Sequence, residues 1–268
     1  MALEAIRGMS MENVILPMMM LWRREMVRFY RDKGRVFGAL VPPLIFWFLI
    51  GSGLGESFHL PGAPAGVNYL QYFFSGTVIL VLLFTAIFST ISVIEDRREG
   101  FLQSVLVAPV ARWVVVKGKL LGSTTLAFLQ GALFLVLAPA VGLNFDFSVI
   151  LAILPILAVL AFGLSALGFC LAWALDSTQG FHSVMNVFLI PLWLLSGALF
   201  PASGAHPWVR WVMSLNPLSY GLAALQGSLL GLDTGPGGPS YALCFSVVFG
   251  FAILSFLAAV YTARERRR

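Results

Sequence analysis

Two stretches of this sequence hold residue types that could do chemistry. Glu95-Asp96-Arg97-Arg98-Glu99 sets five charges in a row, and Arg24, Arg28, Arg31 and Arg35 recur at intervals of four, three and four. Neither stretch pairs a nucleophile with a base. The remaining polar candidates, Glu56, His59, Asp146, His206 and Asp233, are scattered, with no metal-ligand spacing among them. Gly118-Lys119 lacks the upstream glycine and the following Ser or Thr of a phosphate loop, so the chain cannot hydrolyse ATP by that route. Cys170 and Cys244 fall inside apolar runs and read as free thiols, and two distant cysteines with three scattered histidines allow no metal site. The expectation is no catalytic residue, no metal and no cofactor bound by this chain. What remains is charge placed for contact.

The elements that must position this charge are apolar. Of 268 residues, 59% are hydrophobic and only 11% charged, where a soluble domain carries roughly 25%. Most of the surface therefore faces lipid, and the chain reads as an all-α integral membrane protein. The net charge of +5 is a matter of placement and implies no nucleic-acid partner. A crossing helix needs about 20 apolar residues. Six stretches qualify: Val36 to Leu54, Leu70 to Ile94, Leu120 to Gly142, Ser148 to Leu175, Ser183 to Phe200 and Tyr241 to Ala263. Within these bounds no span carries Asp, Glu, Lys, Arg or His. Gln130 and Asn186 are the clearest amides and suit interhelical hydrogen bonds. The first apolar run, Val14 to Trp22, is short and has its arginines after it, so it is not read as a secretory signal.

Lys and Arg set the orientation. Seven precede the first span, five lie between the second and third, and four follow the sixth; of the 17, only Arg210 falls on the other side. Both termini are expected in the cytoplasm. The chain divides into a cytoplasmic segment 1–35, a membrane domain 36–263 and a basic tail 264–268. In the outer cap 201–240, Trp208 to Leu215 and Leu218 to Leu232 are expected as short re-entrant helices broken at Asn216-Pro217. Fifteen residues at ~1.5 Å each reach only about 22 Å, too little for a seventh span. Tyr69, Tyr72, Trp208, Trp211 and Tyr220 suit an outer aromatic belt. Gly51-Xaa3-Gly55 and Gly118-Xaa3-Gly122 suit close helix approach.

Ahead of the first span, Ile15, Met19, Trp22, Met26 and Phe29 share one helix face, with the four arginines roughly opposite. This predicts an amphipathic interface helix, flat on the inner leaflet, its arginines facing anionic headgroups or a cytoplasmic protein. The 25-residue loop 95–119 opens on charge, continues through apolar Phe101 to Ala108 and meets Pro109. A short helix with apolar teeth and a charged collar suits a socket in a partner.

The run Arg98-Glu99-Gly100-Phe101-Leu102 through Pro109, Arg112 and Lys117-Gly118-Lys119 resembles the inner loop of bacterial type-2 ABC exporter permeases, the family of drug, lipooligosaccharide and polysaccharide exporters. Ser196-Gly197-Ala198-Leu199-Phe200-Pro201, then Pro207-Trp208 and Leu215-Asn216-Pro217-Leu218-Ser219-Tyr220, is similar to that family's outer segment between spans five and six. Phe101 departs from the pattern, which usually has Thr there. The resemblance implies that the loop helix docks on a separate ABC ATPase subunit, which holds the ATP and Mg. It implies that two permease chains pair, most simply as a homodimer, in the bacterial inner membrane. Glu95, Arg98, Glu99, Gly100 and Pro109 become the expected coupling residues, and Asn216, Pro217 and Tyr220 the outer motif. Charge-free spans also argue against an ion-driven secondary transporter or a channel, and the scattered polar residues against an intramembrane enzyme.

Overall fold

The computed structural model describes residues 11–54, 67–108, 110–143, 146–231 and 239–265. Pro109, Gly55, Glu56, His59, Asp233 and Arg266 to Arg268 lie outside these residues. Ten α-helices carry the described chain: α1 Met11–Arg31, α2 Lys33–Leu54, α3 Tyr69–Arg98, α4 Phe101–Val107, α5 Arg112–Leu135, α6 Phe147–Ala174, α7 Thr178–Trp193, α8 Pro207–Leu215, α9 Pro217–Leu230 and α10 Tyr241–Glu265. No strand occurs among the described residues.

Helix α3 is the axis of the bundle. Its most apolar window is 89% buried, against 17% for α2 and 28% for α10. It starts on a reciprocal cap, in which Asn68 Oδ1 accepts from the Gln71 N–H at 2.9 Å and Gln71 Oε1 accepts from the Asn68 N–H at 3.1 Å. Around it stand α2, α5, α6 and the short α9, while α10 lies along α6 and α9, and α1 lies along α5. Helices without charge at their centres cannot rely on water to drive them together in lipid, so packing and internal hydrogen bonds must hold them. The buried Thr85 hydroxyl donates to Gln130 Oε1 across α3 and α5, the role expected of Gln130. Asn186, by contrast, is exposed on α7.

Five helices are long and apolar enough to cross a membrane: Lys33–Leu54, Tyr69–Arg98, Phe147–Ala174, Thr178–Ala198 and Tyr241–Ala263. The remaining expected span, Leu120 to Gly142, is displaced. Its helix begins at Arg112, takes in Lys117 and Lys119, and ends at Leu135; a 3-10 turn over Ala138–Val141 follows. The expected 25-residue loop is correspondingly shorter, because α3 runs to Arg98 and absorbs its first four charges. Span five ends in a π turn over Leu194–Ala198, with Gly197 at φ 94°, a conformation open to glycine and costly to other residues.

Candidate functional site

The five consecutive charges are dealt around the end of α3 at about 100° each, so the three carboxylates meet cations of α1, α2 and α5 while Arg97 and Arg98 turn towards the end of α6. Asp96 points inward and is fully buried. Arg24 of α1 grips it with both guanidinium nitrogens, Nη1 to Oδ2 at 2.8 Å and Nη2 to Oδ1 at 2.6 Å. Arg28 donates to Asp96 Oδ1 as well. From α5, Lys119 Nζ reaches Asp96 Oδ2 at 2.5 Å and Glu25 Oε1 of α1 at 2.8 Å. Glu25 and Lys119 are themselves buried, at 3% and 2% exposure. Beside it, Glu95 receives Arg35 Nη2 at 2.8 and 2.9 Å and Arg28 Nη2 at 2.9 Å, and about one turn on Glu99 receives Arg28 at 3.2 Å. Four cations thus meet four carboxylates across four helices, α1, α2, α3 and α5. Burial works against the charge on Arg24, but the hydrogen bond and charge of Asp96, with Glu25 and Glu99, more than offset it and raise its pKa.

The arginines of α1 are therefore largely committed to the chain's own carboxylates, which corrects the expectation that they face headgroups or a partner. Of Arg24, Arg28, Arg31 and, at the start of α2, Arg35, Arg31 alone is exposed; it lines an open groove of about 680 Å³ shared with Arg35, Glu95 and Glu99. The apolar stripe divides too. Ile15 and Met19 are exposed, Trp22 and Met26 half-buried, and Phe29 buried beside Leu126 of α5. The buried line of α1 is Leu21, Glu25 and Phe29, turned towards α5. Gly118 and Gly122 allow this approach: a Cβ on Gly118 would stand 3.0 Å from Leu21 Cβ, and one on Gly122 only 2.6 Å from Glu25 Cβ. The small-residue motif thus serves packing within the chain. Trp22 Nε1 adds a hydrogen bond to Thr125 Oγ1 at 3.1 Å.

Two more of the basic residues close helix ends. The final carbonyls of a helix lack intrahelical partners and carry partial negative charge. Arg97 donates to the carbonyls of Trp173 at 2.9 Å and Leu175 at 3.0 Å at the end of α6, and to Asp176 Oδ1 at 2.8 Å. Arg98 Nε reaches the Asp176 carbonyl at 3.2 Å. Arg112 donates to the Ala263 carbonyl of α10 at 2.9 Å. The ends of α3, α6 and α10 and the start of α5 therefore gather at one end of the bundle, with α1 and α4. Helix α4 begins after Gly100, whose φ of 79° turns the chain sharply. It buries Leu102 and exposes Gln103, Ser104 and Val107, the last at 88%. Phe101, the departure from the resembling pattern, lies under the Arg24 guanidinium, 3.7 Å from ring centroid to Cζ.

At the opposite end, the expected short helices stand at Pro207–Leu215 and Pro217–Leu230, meeting at Asn216. The Asn216 side chain accepts from the Leu218 N–H at 3.0 Å, capping α9, and donates to the Leu192 carbonyl at 2.6 Å. Pro217 occupies the first turn of α9, where no N–H is needed. Tyr220 donates to the Ser214 carbonyl at 2.9 Å, tying α9 to α8. Tyr69 and Tyr72 are not a surface belt: both are buried and donate to the carbonyls of Leu199 at 3.0 Å and Gly197 at 2.5 Å, beyond the bend of α7. Trp208 and Trp211 are exposed, as a belt requires. Among the described residues, no three of His, Cys, Asp and Glu converge as metal ligands.

Sequence reasoning singled out neither Glu25 nor the pairing of Asp96 with Lys119. Glu25 did carry a signal: it stands three residues after Trp22 and four before Phe29, on the apolar side of a basic helix. The helix-end roles of Arg97 and Arg112 have no local signature.

A bundle of long apolar helices with charge gathered at one end defines a multi-pass membrane protein. The family profile of the ABC-2 type transporter matches residues 18–230, and the chain belongs to that family of transport permeases. It is 26% identical over 249 residues to Nodulation protein J of Sinorhizobium fredii (strain NBRC 101917 / NGR234), covering 92% of each chain. It is 28% identical over 214 residues to Nodulation protein J of Rhizobium leguminosarum bv. trifolii, covering 79% of this chain and 80% of the relative. To the putative transport permease ycf38 of Cyanophora paradoxa it is 24% identical over 214 residues, covering 79% of this chain and 73% of the relative.

Proposed function

We propose that this chain is the membrane subunit of an ATP-driven exporter, energised by a separate ABC ATPase that docks on the segment between α3 and α5. The observation that carries the reading is α4 within a chain of this family: a short helix at the charged end of the bundle that buries Leu102 inward and presents Gln103, Ser104 and Val107 outward. The ATPase holds ATP and Mg, since this chain has no phosphate loop. Closing of two ATPase subunits pushes α4, and the helices rock between two states biased by that contact. Arg98, Glu99, Gly100 and Pro109 are the proposed coupling residues at the docking face, and Glu95 acts behind them through Arg28 and Arg35.

In this reading α5 joins the five apolar helices as the third of six spans. Its 24 residues reach about 36 Å at ~1.5 Å per residue, and the polar cluster lies at its start. Both termini are then on the cytoplasmic side of a bacterial inner membrane, α8 and α9 form the re-entrant outer cap, α1 lies at the inner lipid surface, and two copies of the chain pair. Apolar spans favour an amphipathic or lipid-linked cargo, taken from the cytoplasm or inner leaflet. Co-purification tests the partnership: the tagged chain, extracted in mild detergent from its native host, is expected to bring down a phosphate-loop ATPase in equal amount. A chain that never does so would overturn the reading.

A further inference from the structure

A helix of seven residues joined to its neighbour through a glycine is a poor lever unless something braces it. Helix α4 has that problem. Glu99 is the last helical-type residue after α3, Gly100 follows at φ 79°, and no side chain caps the start of α4. Buried Leu102 seats α4 on the core, yet a push on the Val107 end can still pivot α4 about Gly100. The first residue past the joint is Phe101, and its ring face meets the Arg24 guanidinium at 3.7 Å. Arg24 is not a free surface cation. Both of its terminal nitrogens are held by buried Asp96 of α3, and the same carboxylate is held by Lys119 of α5, which also holds Glu25 of α1. The ring therefore rests on a planar cation whose position three helices fix. Guanidinium and aromatic faces attract through the ring quadrupole, most where water is excluded.

We infer that Phe101 is a positioning residue for coupling: its ring on Arg24 makes α4 and α1 move as one body, so that force on α4 reaches α1 and α3 together. The inference rests on the proposed docking of an ATPase on α4. A leucine at 101 keeps apolar bulk and loses the ring face, whereas tyrosine and tryptophan keep it.

The test is the spread of distances between α4 and α1. Nitroxide labels are placed on cysteines replacing exposed Val107 and Arg23, with Cys170 and Cys244 changed to alanine, and the chain is held in lipid nanodiscs. Pulsed electron resonance on labelled chain diluted into excess unlabelled chain is expected to show one narrow distance with Phe101, Phe101→Tyr and Phe101→Trp. In Phe101→Leu, the share of molecules outside that peak is expected to rise several-fold. A Leu variant as narrow as the parent, or a Trp variant as broad as Leu, would overturn the inference. The same pair is then measured with the co-purified ATPase bound, before and after ATP and Mg. The distance is expected to stay fixed with the ring and to change without it; a change with the ring present also overturns the inference. Failure of any ATPase to bind the unlabelled chain removes the docking reading instead and leaves the first measurement standing.

Discussion

Asp96→Asn removes the one carboxylate on which Arg24, Arg28 and Lys119 converge. Asp96 is fully buried and Lys119 is 2% exposed, so the cations cannot simply turn to water. Removing one partner of a buried ion pair costs about 3–5 kcal/mol, because the other charge is left uncompensated. Here the lower end applies. Lys119 keeps Glu25 at 2.8 Å, Arg28 keeps Glu95 at 2.9 Å, and Arg24 has Glu25 at 3.6 Å. At roughly 1.4 kcal/mol per tenfold, about 3 kcal/mol shifts the docking of α1 on α5 by on the order of 100-fold. Leu21 lies at that contact, 6% exposed, and Leu21→Cys in a background without the native cysteines reports the undocked fraction through its rate of maleimide labelling. The labelling rate is expected to rise by about two orders of magnitude when Asp96→Asn is added. The exposed pair of Arg97 with Asp176 supplies the contrast: its carboxylate is 74% exposed, such pairs contribute about 0–1 kcal/mol, and Asp176→Asn should change the rate by less than about fivefold. If Asp96→Asn labels no faster than Asp176→Asn, the buried cluster does not hold α1, and the reasoning fails.

Gly122→Leu attacks the same contact by volume: even its Cβ would stand 2.6 Å from Glu25 Cβ, so α1 must move outward at a cost of about 1–3 kcal/mol, read as faster Leu21→Cys labelling. Asn216→Ala removes the cap on Leu218 and the donor to Leu192, and should lower stability by ~1–2 kcal/mol in a thermal melt in detergent; Asn216→Asp keeps the acceptor and should lose less, and equal losses would assign nothing to the cap. Gly197→Ala forces a side chain into φ 94° and should cost about 1–2 kcal/mol in the same melt, while an unshifted midpoint would show that the bend of α7 tolerates any residue.

Much of the fold was legible because a helix in lipid must satisfy its own backbone and be apolar around its length. That condition is local, so α2, α3, α6 and α10 were readable from runs of apolar residues. The displaced span is the informative case. Lys119 and Gln130 dilute the apolarity of α5, and the chain beyond Leu135 is apolar without continuing the α-helix; hydropathy registers the solvent, not the hydrogen bonding. The same limit governed α7, where apolar residues continue through a π turn. At the candidate site, the positions of Glu95, Arg98, Glu99 and the four arginines were legible as charge at one end of the bundle. Their partners were not, since the ion pairs that join α1 and α2 to the end of α3 link residues 60 to 72 positions apart.

By itself the sequence determined that the chain spans a membrane, where α2, α3, α6 and α10 run, that basic residues crowd one end, and that α1 is two-faced. Each of these follows from what a short segment requires of its solvent. Only the tertiary structure decided that α1 turns Glu25 towards Lys119 rather than towards water, that Gly118 and Gly122 admit α1 rather than a second chain, and that Arg97 and Arg112 close the ends of α6 and α10. Those outcomes depend on how three or more helices are rotated about their axes and how closely their backbones approach. A buried charge is tolerated only where that mutual arrangement brings its counterpart within hydrogen-bonding distance.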